Sequence, residues 1–134
     1  MAKSEEESVR RAEKIKDGWR FHFRFLVRKE DDLVVAYCLE LDLVATGKTE
    51  DEAVKDLINI TIAQVSYCLS NDNMDRLFRR APEEIWNEYY DCEKATPKPR
   101  KIKAPSKETP RTDLLFPFSF IANACRSQSF CHAV

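Results

Sequence analysis

Leu33-Val34-Val35-Ala36-Tyr37-Cys38-Leu39-Glu40-Leu41-Asp42-Leu43-Val44-Ala45-Thr46-Gly47-Lys48-Thr49-Glu50-Asp51-Glu52-Ala53 is the stretch whose reading decides the fold. Residues 33–40 read as a strand, and 41–46 continue as another after a short bend or bulge near residues 40–42. Gly47 then separates strand from helix, and a positive φ is expected there because glycine adopts it without a Cβ clash. Thr49-Glu50-Asp51-Glu52 fits a capping box. In that arrangement the Thr49 hydroxyl accepts from the Glu52 backbone N–H, and the Glu52 carboxylate reaches back to the Thr49 N–H. Acids in the first turn also suit the helix dipole.

Working outward, Trp19, Phe21, Phe23, Phe25 and Val27 recur at every second position. They define the buried face of a first strand. Arg20, His22, Arg24 and Arg28 share its other, basic face with Leu26. Lys29-Glu30-Asp31-Asp32 contains no glycine, so a four-residue hairpin is expected rather than a tight primed turn. Downstream, Ala53, Val54, Leu57, Ile58, Thr61, Val65, Cys68 and Leu69 recur at three- and four-residue spacing, the core stripe of a long helix. Ile60 and Ile62 fall beside that stripe and point to a second contact, with another helix or a partner.

The remaining chain divides by composition. Residues 1–17 mix five acids with five bases and form a charged arm. Residues 74–80 read as a short helical piece, and Pro82 opens another helix over 83–90 or slightly longer, with an aromatic face of Ile85, Trp86, Tyr89 and Tyr90. Residues 94–111 carry seven bases, one acid (Glu108) and prolines at 97, 99, 105 and 110, the composition of an extended linker. Apolar residues return at Leu114, Leu115, Phe116, Phe118, Phe120 and Ile121. The expected organisation is therefore an arm (1–17), an α+β domain (18–93), and a linker with an apolar tail (94–134). In the α+β domain a three-stranded antiparallel sheet is covered by one long helix, with additional C-terminal helices.

The chain has 134 residues, enough for one modest core, and a net charge of -1, which argues against a uniformly basic nucleic-acid binder but not against a local patch. No apolar run approaches the roughly 20 residues of a membrane helix. The five cysteines, Cys38, Cys68, Cys92, Cys125 and Cys131, form no C-x-x-C pair, and the highly charged start has no signal-peptide character. Reduced thiols and a cytoplasmic location are expected, with Cys38 and Cys68 acting as small buried apolar residues.

Catalytic chemistry finds little support. A two-metal nuclease needs several converging carboxylates, whereas the first strand carries Arg20, His22 and Arg24, and Glu40 and Asp42 are the only strand acids. His22 and Cys38 could approach across neighbouring strands, but no oxyanion loop or third member accompanies them. Cys125, Cys131 and His132 are too loosely spaced to mark a metal site. Two isolated glycines cannot build a phosphate loop. The chain is therefore read as a non-enzyme with no catalytic residue, metal or cofactor. The linker bases Lys98, Arg100, Lys101, Lys103 and Lys107 could touch a phosphate backbone but lack interleaved aromatics for base reading.

Residues 19–69 resemble the HicB-type antitoxin domain, whose pattern is an apolar strand, a Pro-containing bend and Gly-x-Thr-x-x-Glu-Ala leading into a helix. Tyr37-Cys38-Leu39-Glu40-Leu41-Asp42-Leu43 stands at the bend, with Asp42 and Leu43 where the family has Pro-Gly. Gly47, Thr49, Glu52 and Ala53 match the second part, and their roles are structural. The resemblance implies a strand–strand–strand–helix unit, a degraded ribonuclease-H-like fold without catalysis, and binding and neutralisation of a small RNA-cleaving toxin, HicA-like, by a dimer. No ribbon–helix–helix or helix-turn-helix pattern occurs in residues 70–134, so operator binding is not carried over. Candidate partner-binding residues are Arg20, His22, Arg24 and Arg28 on the first strand and Leu114, Phe116 and Phe118 in the tail. The alternative is a nucleic-acid-associated regulatory protein using the basic strand face and the linker.

Overall fold

The computed structural model describes residues 12–15, 18–95, 100–104 and 118–127. Strands β1 (Ala12–Ile15), β2 (Gly18–Glu30), β3 (Leu33–Cys38) and β4 (Leu43–Gly47) precede helix α1 (Glu50–Ser70). A 3-10 turn at Met74–Arg76, helix α2 (Glu83–Ala95) and strands β5 (Arg100–Ala104) and β6 (Phe118–Arg126) follow. The class is α+β, but the sheet corrects the three-stranded expectation. It has six strands in the order β4-β3-β2-β6-β5, with β1 pairing β2. It is also mixed, because β6 runs parallel to β2 while the other pairs are antiparallel.

The additional strands come from segments whose composition suggested an arm, a linker and a tail. In β5, Ile102 and Ala104 turn inward while Lys101 and Lys103 remain exposed. In β6, Phe118, Phe120, Ala122 and Ala124 alternate into the core. The period of two is present in both, masked by lysines in one and by small residues in the other.

Local details sharpen the reading of the decisive stretch. The β2–β3 hairpin is a two-residue turn, with Glu30 opposite Leu33 and Asp31 at φ 52°. Aspartate tolerates the left-handed region well enough that no glycine is needed. At the bend, Asp42 does the same, at φ 53°. Gly47 does not take the expected positive φ; the glycine that does is Gly18. Gly47 is needed for space, because a Cβ there would lie 2.7 Å from Ala53 N and 2.8 Å from Glu52 Cβ. The cap forms, with Glu52 N–H donating to Thr49 Oγ1 at 3.2 Å, but the Glu52 carboxylate accepts from Lys48 N–H at 3.0 Å rather than from Thr49.

Two cores result, one on each side of the sheet. The larger lies under α1 and joins Phe21, Phe23, Phe25 and Val27 to Leu57, Ile62, Val65 and Phe120. Ile62, expected beside the stripe, is fully buried in it, whereas Ile60 stays exposed. The smaller lies under α2, where Leu26, Leu39 and Cys125 meet Trp86, Tyr89 and Cys92. A disulfide between Cys92 and Cys125 ties α2 to β6, so the expectation of reduced thiols fails for this pair; Cys38 and Cys68 are free and buried. No helix among the described residues is long and apolar enough to cross a membrane.

Candidate functional site

The outward side of β2 carries four of the residues singled out from the sequence, and the fold splits them. Helix α2 lies over the second half of this side. There Arg24 sits with its guanidinium 5.3 Å from the Trp86 ring centre and 6.0 Å from that of Tyr90. Arg28 pairs with Glu88 of α2 at 3.4 Å and with Glu30 at 3.5 Å. Both cations therefore help to hold α2 on the sheet. Arg20 is exposed and His22 half-buried on the other half of the strand.

Strand register brings the linker bases to the same place. His22 stands beside Ile121, which stands beside Lys103; Arg24 stands beside Asn123, which stands beside Lys101; Arg20 stands beside Ser119. Registered residues share a face, and adjacent strands are about 4.8 Å apart. Arg20, His22, Lys101 and Lys103 thus lie on one largely basic face about 10 Å across three strands, with the exposed acid Glu13 of β1 in register beside Arg20. Within it the Asn123 Oδ1 is buried without a hydrogen-bond partner. Of the tail residues, Phe118 is buried in the core, edge-to-face with Phe21 at 6.3 Å, and is not on this surface. Leu114 and Phe116 lie outside the described residues.

Beneath α2 lies a buried polar centre that the pattern of residues did not announce. Glu40 is 1% exposed, and both its oxygens are engaged by Arg24: the backbone N–H donates to Oε1 at 2.7 Å and Nη1 to Oε2 at 2.9 Å. The bend around it is held by further backbone bonds, from Leu39 N–H to Arg24 O, Arg79 N–H to Glu40 O and Ala81 N–H to Leu39 O. Burial pushes the Glu40 carboxyl up from 4.5 to about 7, against the opposing pull of Arg24. Burial, reinforced by Glu93, also raises the Tyr89 hydroxyl, and burial together with nearby Glu40 raises the Cys38 thiol well above its ordinary range. Arg80 covers Trp86 at 4.1 Å, completing the stack over this centre.

The arrangement limits the chemistry available. Cys38 points into the core under α1 and His22 to the opposite side of the sheet, so the two cannot act as nucleophile and base. Among the described residues no group of three or more His, Cys, Asp or Glu is placed to hold a metal ion. Cys125 is committed to the disulfide, while Cys131 and His132 lie outside the described residues. What the surface offers is charge and shape: a basic sheet face beside a firmly docked helix. No family model, no curated protein and no solved structure matches this chain.

Proposed function

We propose that this protein is a binding module without chemistry of its own, of the HicB antitoxin type, which holds and covers a small RNA-cleaving toxin similar to HicA. The observation that carries the reading is how the sheet uses its acids. A nuclease built on such a sheet needs several carboxylates free to converge on metal ions. Here both Glu40 oxygens are bonded to Arg24, and Asp42 forms the left-handed bend. The succession β2–β3–β4–α1, with its Gly47–Thr49–Glu52 joint, adds support at the level of fold, and fold alone does not carry function. The role would place the protein in the cytoplasm; the Cys92–Cys125 disulfide, a link that persists mainly in oxidising compartments, speaks against that placement. Recovery of the native complex with the tagged chain, followed by mass spectrometry, is expected to yield a short basic protein whose RNA cleavage the chain suppresses. RNA hydrolysis by the pure chain, lost on Asp42→Asn, overturns the reading.

The basic face favours a second reading, a nucleic-acid-associated regulatory protein. Residues from two separate basic segments stand in register on it, and among the described residues no aromatic side chain interleaves with them. Contact would be with phosphates rather than bases. Neutralising about three phosphates gives a log–log salt slope near -2 for a single strand, and Lys101→Ala with Lys103→Ala should flatten it by about 1.4. An unchanged slope in that double variant removes this reading.

A further inference from the structure

Strand β4 forms one edge of the sheet, and its two faces differ. Ala45 turns toward α1 and is buried there, together with Val34, Ala36 and Cys38 of β3. On the opposite face Val44 stands beside Tyr37 and Thr46 beside Val35, with Leu33 two residues further along β3. Tyr37 packs against the core beneath α2. Val44 is 43% exposed and Leu33 46%, and Thr46 is exposed between them. The edge therefore borders an uncovered, largely apolar lane on the side of the sheet away from α1.

The outer backbone groups of β4 have no strand partner among the described residues. Nothing in the strand itself discourages an added one, because Leu43-Val44-Ala45-Thr46-Gly47 has no charge and no proline. The opposite edge is guarded by Arg100, Lys101 and Lys103 of β5. Near β4 the charges sit at the two ends of the lane. Asp31 and Asp32 are exposed at the hairpin tip next to Leu33, at the Gly47 end of β4, and Asp42 precedes Leu43 at the other end. None of these three acids makes an ion pair among the described residues. Lys48, just past Gly47, offsets one of them.

We propose that this edge takes an extended segment of a protein partner as an added strand. The segment carries apolar residues at alternate positions and lysine or arginine at both ends. Its main chain pairs with the outer N–H and C=O groups of β4, which supplies affinity, while alternate side chains supply specificity. On the open face those side chains lie beside Val44 and Thr46, which favours apolar, β-branched residues. A five-residue strand spans about 17 Å, so bases at the segment's ends reach the acids at the ends of the lane. The same acids repel a nucleic-acid strand and an acidic peptide. The proposal rests on the reading of the chain as a protein-binding module and names the surface that does the binding.

Titration of the full chain into a fluorescein-labelled heptapeptide of alternating valine and threonine, with lysine at each end, tests the proposal. The peptide is expected to bind, and nitrogen–proton correlation spectra should shift chiefly at Leu43–Gly47. A version with glutamate ends should bind about tenfold more weakly or worse, and one N-methylated at alternate residues, which cannot form the strand hydrogen bonds, should not bind. Val44→Lys should weaken the lysine-ended peptide about tenfold or more. Asp31→Asn with Asp32→Asn should weaken it several-fold and flatten its salt dependence, since asparagine keeps the left-handed turn at residue 31. Both variants should keep the wild-type circular dichroism spectrum. No binding at millimolar concentration overturns the proposal, as does equal binding of the lysine- and glutamate-ended peptides, shifts confined to β5, or indifference to Val44→Lys. So do β4 signals that move with chain concentration alone, the mark of a second copy on the edge. The peptides contain no toxin, so this outcome is independent of whether the native partner cleaves RNA.

Discussion

Glu40 shows how far one buried side chain departs from its ordinary chemistry. Its carboxyl sits at about 7 in the folded chain against 4.5 for an ordinary glutamate, so the folded state holds the proton more firmly than the unfolded one. The stabilisation from this group is complete below pH 4.5, is lost as pH rises, and is gone above 7. Its size is up to about 3 kcal/mol. Urea midpoints across that range should fall with pH in the wild type, and the fall should be markedly smaller in Glu40→Gln. Arg24→Met tests the partner. It leaves a buried charge uncompensated and should cost about 3–5 kcal/mol at alkaline pH. At acid pH the loss should be clearly smaller, because a protonated Glu40 needs no cation. At Gly47 the constraint is space. The residue was legible as a joint, but the reason for glycine is the 2.7 Å approach to Ala53 N and not its φ. Gly47→Ala should cost about 1–3 kcal/mol by overpacking, seen as a lower Tm.

At the scale of elements, α1 could be read from its caps and its stripe because those signals are local. Thr49→Ala should remove about 1 kcal/mol, the usual value of such a cap, measured by chemical denaturation. Helix α2 was legible as a helix, but its seat was not. Trp86, Tyr89 and Cys92 find Leu26, Leu39 and Cys125 only once β2, the bend and β6 are assembled. The disulfide closes a separation of 33 residues, and the chain-entropy estimate for such a loop is about 3–4 kcal/mol. Dithiothreitol should lower the stability of the wild type by about that amount and leave Cys92→Ser, which has no such bond to reduce, unchanged.

For the whole molecule, the strands beyond residue 95 change what a truncation means. Strand β6 lies between β2 and β5 and buries Phe118, Phe120, Ala122 and Cys125. A chain ending at residue 95 should therefore fail to fold cooperatively, by loss of the thermal transition and of near-ultraviolet dichroism. It cannot serve as a simple test of a binding tail. The basic face is likewise a property of the assembly. Arg20 and His22 announced one half of it and the linker lysines the other, but only the β2–β6–β5 register joins them.

The sequence by itself determined β2, β3, β4 and α1, because a period of two, a period near 3.6 and a helix cap are all written within a few neighbouring residues. It also determined which side of β2 is apolar. Tertiary structure alone decided that β6 returns to lie parallel beside β2, that Arg24 holds Glu40 and α2 while Arg20 stays exposed and His22 half-buried, and that Cys92 meets Cys125. Those outcomes depend on pairing between segments far apart along the chain. The local residues show that a segment can form a strand, but not which edge it will join.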